Sequence, residues 1–191
     1  MINEKFLEQL KKDYQANESE RRQIISASNN ILFEAKKTIF ALQRQDIKNA
    51  ATKLSDIEKA LDNLKKRFGA DRLQKEGAYK AAVEEYLEGK TLSLVIQNKK
   101  IDAIPGLSLD YEGYLGGVCD MVGELVRYAT NQAAAGKFSA VAKIKKNAED
   151  IMAQLIDFDM TGYLRTKYDQ ARGHLRKLEQ MAYEIKLRNK K

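Results

Sequence analysis

The chain is nearly free of cysteine, proline and histidine, and each scarcity removes a class of answers. With one cysteine, Cys119, among 191 residues, no disulfide can close within the chain, nothing points to an oxidising compartment, and a cytoplasmic protein is expected. One histidine, His174, leaves no multi-histidine zinc or catalytic centre, so a metal would have to be held mainly by carboxylates, a donor set that favours magnesium or manganese. The one proline, Pro105, sits in Ile104-Pro105-Gly106-Leu107-Ser108, where turn-forming residues concentrate. No apolar run approaches membrane-spanning length, and Met1-Ile2-Asn3-Glu4-Lys5 carries charge at once without a following apolar stretch. No targeting segment and no membrane partner are expected. Glycine-rich phosphate loops, paired CxxC motifs, internal repeats and alternating strand patterns are missing too, which disfavours a βαβ enzyme or a solenoid.

What is there is helix. A first segment runs from Phe6 to about Leu42, with a polar early third that has little to bury. Asp46 is placed to cap a second, in which Ile47, Ala50, Leu54, Ile57, Leu61, Leu64 and Phe68 alternate three- and four-residue spacings. This is a narrow seam for packing on a neighbouring helix, ended by Gly69. A third is expected from about Asp71 to Ile96, with a buried far end in Leu92-Ser93-Leu94-Val95-Ile96. Asp110 is placed to cap a fourth reaching Gly136. A fifth covers Phe138 to Phe158, and a last one runs from Thr161 to about Leu187. The spacing therefore predicts an all-α fold, one domain over residues 1–191, built from six or seven helices.

Two acid pairs stand out. Glu85 and Glu88 are three residues apart, and Asp120 and Glu124 four apart, spacings that put each pair on one helix face. Such pairs usually belong to a solvated face, but the second lies in Gly117-Val118-Cys119-Asp120-Met121-Val122-Gly123-Glu124-Leu125, where nearly every neighbour is apolar or glycine. Two ionised carboxylates 5 Å apart at an effective dielectric near 20 repel by about 3 kcal/mol. Converging acids therefore need protons, arginines or a divalent cation. Arg127, three residues after Glu124, is the structural alternative. Gly116, Gly117 and Gly123 each cost roughly 1 kcal/mol of helix propensity relative to alanine. Tight packing against another helix explains them at least as well as access to a site. The net charge of +7 with pI ≈ 9.3 admits an anionic partner, because clustered cations gain affinity for phosphates by releasing counterions.

The run from Tyr114-Leu115-Gly116-Gly117-Val118-Cys119-Asp120 to Arg127-Tyr128-Ala129-Thr130-Asn131 resembles the most recognisable segment of the translin family. Glu20-Arg21-Arg22 through Ala41-Leu42, and Lys177-Leu178-Glu179 through Leu187-Arg188, agree with the family in order, so the resemblance spans nearly the whole chain. Within the family the chain resembles the nuclease branch, translin-associated factor X. That branch carries Glu-Tyr-x-Glu on one helix and Asp-x-x-Gly-Glu on another. Glu85 and Glu88 match the first motif, Asp120 and Glu124 the second. The resemblance implies a curved translin-like bundle assembling into a closed homo-oligomeric shell of about eight subunits, an octamer, with RNA inside. It also implies a magnesium-dependent endoribonuclease in which the four acids hold Mg2+ (or Mn2+). Lys36, Lys37, Arg44, Lys65, Lys66 and Arg67 are then candidate phosphate contacts, with ordinary solvated faces as the alternative. Tyr79, Tyr86 and Tyr128 would be base-stacking platforms unless they pack in the core. Two other readings stay open: a translin-like oligomer that binds single-stranded RNA or DNA without cleaving it, and a helical scaffold whose charge serves only solubility. The chain is shorter than the larger homologues, which bears on partner contacts more than on chemistry.

Overall fold

The computed structural model describes residues 2–104 and 110–188. It is built from seven α-helices: α1 Glu4–Gln43, α2 Ile47–Phe68, α3 Ala70–Leu73, α4 Gly77–Ile96, α5 Tyr111–Ala134, α6 Phe138–Leu155 and α7 Gly162–Arg188. A single 3-10 turn, Ile156–Phe158, follows α6. No strand occurs among the described residues.

The expected caps are made. The Asp46 carboxylate accepts from the Asn49 N–H at 3.2 Å and that of Asp110 from the Gly113 N–H at 2.7 Å, each satisfying an orphan donor of a first turn. Gly69 leaves α2 at φ 78°. The helix expected over 71–96 is instead two. After Leu73 the chain closes tight turns, Lys75 N–H to Arg72 O and Glu76 N–H to Leu73 O, and Glu76 is extended (φ −104°, ψ 114°). Leu73 is fully buried, and Glu76 is held by Arg72 at 2.6 Å and Arg21 at 3.5 Å. Tertiary anchoring of these two residues overrides the helical pattern. The turn expected around Pro105 falls on residues 105–109, outside the described residues.

Two apolar clusters share α1 and α4. One gathers Ile24, Ile31 and Ala35 of α1 with the α2 seam (Leu54, Ile57, Leu61, Leu64) and Tyr79, Val83, Tyr86 and Leu87 of α4. The other joins Ile39 and Leu42 with Leu92 and Val95 and with the inner faces of α5, α6 and α7. α1, 40 residues or about 60 Å long, is exposed along its first half. Only from Ile24 onward does it bury a face. Tyr79 and Tyr86 are core residues. Tyr86 donates to Glu58 at 2.7 Å, as a fully buried hydroxyl must to avoid losing about 1–3 kcal/mol.

α4 and α5 run in close contact, and the glycines make this possible. A Cβ at Gly117 would stand 2.7 Å from Leu87 Cβ and 3.0 Å from the Glu84 carbonyl; one at Gly116 would meet the Glu84 carboxylate at 2.9 Å. The packing explanation of these two glycines therefore holds, and this close approach is what brings the acid-bearing faces of the two helices together.

Candidate functional site

Glu85 and Glu88 on α4 and Asp120 and Glu124 on α5 are half-buried and act on one another electrostatically. Glu88 is pushed up to about 8 by burial and by the neighbouring charges of Glu85, Asp120 and Glu124. Burial also raises Glu85, with Lys36 opposing and Asp120 and Glu124 reinforcing the shift. Asp120 is raised by burial against the pull of Lys167.

Each α5 acid has a partner that the spacing did not reveal. Lys167 of α7 donates to Asp120 and, at 2.7 Å, to Glu84. Glu84 also accepts from the Tyr163 hydroxyl at 2.7 Å. Burial works against the Lys167 ammonium, but its hydrogen bonds to Asp120, Glu84 and Tyr163 hold it charged, above the ordinary lysine range. Glu124 accepts from Gln43 Nε2 at 2.6 Å, and Gln43, a buried residue at the end of α1, accepts in turn from Asn131 at 3.1 Å. Arg127 stands 3.6 Å from Glu124, half exposed. His174 also lies at the edge of this cluster: a Cβ at Gly123 would come within 3.2 Å of its Nε2. Burial and Lys177 lower its pKa, while Asp120 and Glu124 oppose the shift. Spacing along the sequence does not place this histidine beside the acids. Gly123 was the signal that could have found it.

Among the described residues no three His, Cys, Asp or Glu side chains converge, as they stand, closely enough to hold a metal ion. The donor chemistry nevertheless suits one. Among the described residues neither Glu85 nor Glu88 has an ion-pair or side-chain hydrogen-bond partner of the kind that engages Asp120 and Glu124, and an acid pushed up to about 8 by burial and then by three neighbouring carboxylates is a group that a hard divalent cation would ionise. Cys119 is no candidate ligand, since burial pushes its thiol up to about 12.

The sign of the Glu88 shift gives a measurable consequence. Its folded-state pKa is raised, so its contribution to stability is present below the ordinary carboxyl value of 4.5 and is lost as pH rises through about 8. Glu88→Gln keeps the shape and removes the ionisation. In metal-free buffer the wild type should lose melting temperature relative to this variant between about pH 5 and about pH 8, as read by thermal denaturation. Parallel curves would mean that Glu88 is solvated.

The basic candidates divide in two. Lys36 and Lys37 lie in the last turns of α1 and Arg44 caps it: Lys36 acts on Glu85, Lys37, about 100° round the helix, pairs with Glu34 at 2.8 Å, and Arg44 stacks on Phe40 at 4.3 Å. Lys65, Lys66 and Arg67 close the last turn of α2, where cations complement the helix dipole. Lys66 pairs with Asp62, and Arg67 donates to Gln23. Gln23 is thirteen residues from Lys36, about 20 Å along α1. Tyr128 is half-buried beside the core.

Residues 19–189 match the Translin family. The chain belongs to the translin family. Among its relatives are translin of Gallus gallus, 28% identical over 149 residues (69% of this chain, 65% of that one), and the translin-associated protein X homolog of Schizosaccharomyces pombe, 27% identical over 142 residues (66% and 61%). Human translin is 31% identical over 129 residues, covering 64% of this chain and 54% of that protein. The matches thus take in two thirds or less of these relatives' length. The fold is that of AfC3PO, with TM-score 0.88 and 22% identity over 97% of this chain and 99% of that one. It is also that of AfC3PO in complex with duplex RNA, with TM-score 0.84, 21% identity and coverage of 95% and 96%. The all-α, translin-like fold expected from the sequence is what the chain adopts. Among the described residues no helix is long and apolar enough to cross a membrane.

Proposed function

We propose that this chain is the subunit of a metal-dependent endoribonuclease acting on RNA with single-stranded character inside a closed homo-oligomeric shell of about eight copies. The observation that carries the reading is that Glu85 and Glu88 of α4 and Asp120 and Glu124 of α5, half-buried on two helices in close contact, act on one another's charge, with Glu88 pushed up to about 8 by burial and by the other three acids. The translin-fold relative bound to duplex RNA and the net charge of +7 support RNA as the partner.

The protein's own groups have separable tasks. Gln43, fixed by Asn131, orients Glu124. Lys167 bridges Asp120 and Glu84 and holds α7 against the site. Glu85 and Glu88 supply the acids that have no such partner among the described residues. Mg2+ or Mn2+ held among these oxygens would polarise the scissile phosphodiester and make water a competent nucleophile near neutral pH.

A second reading has specific support: Lys167 on Asp120, and Gln43 and Arg127 on Glu124, satisfy those acids without any metal. In that case the chain is a translin-like oligomer that binds single-stranded RNA or DNA and leaves it intact. Incubation of purified protein with end-labelled single-stranded RNA separates the two. The nuclease cleaves with magnesium and stops in chelator. The binder retains the strand in both, with log affinity falling by about 0.7 per log unit of salt for each phosphate neutralised. Intact RNA at saturating magnesium would overturn the nuclease assignment.

A further inference from the structure

Phe33 and Phe40 are exposed aromatic rings, 59% and 47% accessible, on an otherwise well-packed stretch of α1. Together with Lys37 and Arg44 they follow the spacing i, i+4, i+7, i+11, which is one stripe of a helix. The cations lie on the rings: Lys37 Nζ is 4.2 Å from the Phe33 centroid, and the Arg44 guanidinium is 4.3 Å from that of Phe40. The stripe borders the acids. Lys36 acts on Glu85, Gln43 is bonded to Glu124, and Arg127 lies 5.9 Å from the Phe40 ring and 3.6 Å from Glu124.

We propose that this stripe is a track for single-stranded RNA beside the acid cluster, with Phe33 and Phe40 as base-stacking platforms and Lys36, Lys37, Arg44 and Arg127 as phosphate contacts. The proposal deepens the function argued above and rests on it. Exposed rings flanked by cations are what an unpaired strand recognises, since every base has a face to stack while its phosphates need positive charge. A second copy of this chain seated face to face would set the four cations of one stripe against the four of the other. An RNA strand is the complementary occupant. The rings are seven residues apart, about 10.5 Å along the helix, or about three steps of a stacked strand at 3.4 Å each. The track therefore holds a short run of about four nucleotides. Bases paired within a duplex cannot reach the rings, so the platforms favour unpaired RNA.

The test is equilibrium binding by the full chain in chelator, where no cleavage intervenes. The ligands are a fluorescent single-stranded oligoribonucleotide, the same strand carrying abasic positions, and a duplex of equal length. The proteins are wild type and Phe33→Ala/Phe40→Ala. The double variant should lose roughly tenfold or more in affinity for the intact strand and little for the abasic strand or the duplex, with an unchanged salt slope. Lys36→Gln/Arg44→Gln should lower the salt slope on all three ligands. Unchanged affinity of the double variant for the intact strand, or equal losses on all three ligands, would overturn the track while leaving RNA binding intact. A change in its oligomeric mass would identify the stripe as a contact between copies and likewise overturn it. Absence of RNA binding by the wild type would instead remove the functional reading on which the track rests.

Discussion

Asp120→Ala is expected to abolish magnesium-dependent RNA cleavage while leaving the fold and RNA binding in place. Asp120 is one of two acids that α5 presents to Glu85 and Glu88, and its charge contributes to the raised pKa of both. Removing it takes away a candidate ligand and part of the field that favours a divalent cation. Loss of groups that merely orient metal ligands costs about 10–100-fold, so the loss of a ligand should exceed about a hundredfold. The fold should persist, because Lys167 keeps Glu84 as a partner at 2.7 Å and the hydrophobic faces of α5 are untouched. RNA affinity measured in chelator should hold or rise slightly, since a carboxylate has been removed from beside a polyanion. Cleavage by Asp120→Ala at saturating magnesium, equal to that of wild type, would remove this aspartate from the chemistry. A variant that neither cleaves nor keeps its oligomeric mass would show instead that the Lys167 bridge is structural, and Glu85→Gln, which breaks no ion pair, then carries the test of the site.

The acids and the helices that bear them were legible in the sequence because they are local. Three- and four-residue spacings set Glu85 with Glu88 and Asp120 with Glu124, and the capping aspartates Asp46 and Asp110 mark helix starts by their own short-range hydrogen bonds. Of the partners of these acids only the local one, Arg127 beside Glu124, was legible; the others come from remote elements. Lys167 is 47 residues from Asp120, on a helix whose composition resembles any solvated face, and Gln43 is 81 residues from Glu124. Choosing among Glu84, Glu85 and Glu88 is likewise a tertiary matter. Glu84 turns to Lys167 and Tyr163, while Glu88 is governed by burial and by the charge of the other acids, a difference that the helical period alone cannot express. The break at Glu76 was hidden for the same reason, since the arginine that holds it at 3.5 Å, Arg21, comes from α1. The glycines were the one sequence signal of these long-range contacts, because a missing side chain inside a helix reports what the neighbouring element needs.

That signal makes the α4–α5 contact open to direct test through Gly117. In Gly117→Ala the added Cβ would lie 2.7 Å from Leu87 Cβ, 3.0 Å from the Glu84 carbonyl and 3.3 Å from the Glu88 N–H. Two of these atoms are backbone, so no side-chain rotation relieves the clash and the helices must move apart. Overpacking of this kind costs about 1–3 kcal/mol, partly offset by roughly 1 kcal/mol of regained helix propensity. Gly117→Val would feel the clash with less compensation, with a fall in melting temperature of about 3–10 °C. Gly116→Ala meets only the Glu84 side chain, at 2.9 Å, and should cost less, by disturbing the bridge to Lys167. Gly77→Ala has nothing within 4 Å and should be neutral or stabilising. Because the two helices carry the two acid pairs, the Gly117 variants should lose RNA cleavage out of proportion to the fraction unfolded at the assay temperature. If Gly117→Val melts like wild type, the close approach of α4 and α5 is not required for the fold. If it melts lower but cleaves normally per folded molecule, the spacing between the acid pairs does not control the chemistry.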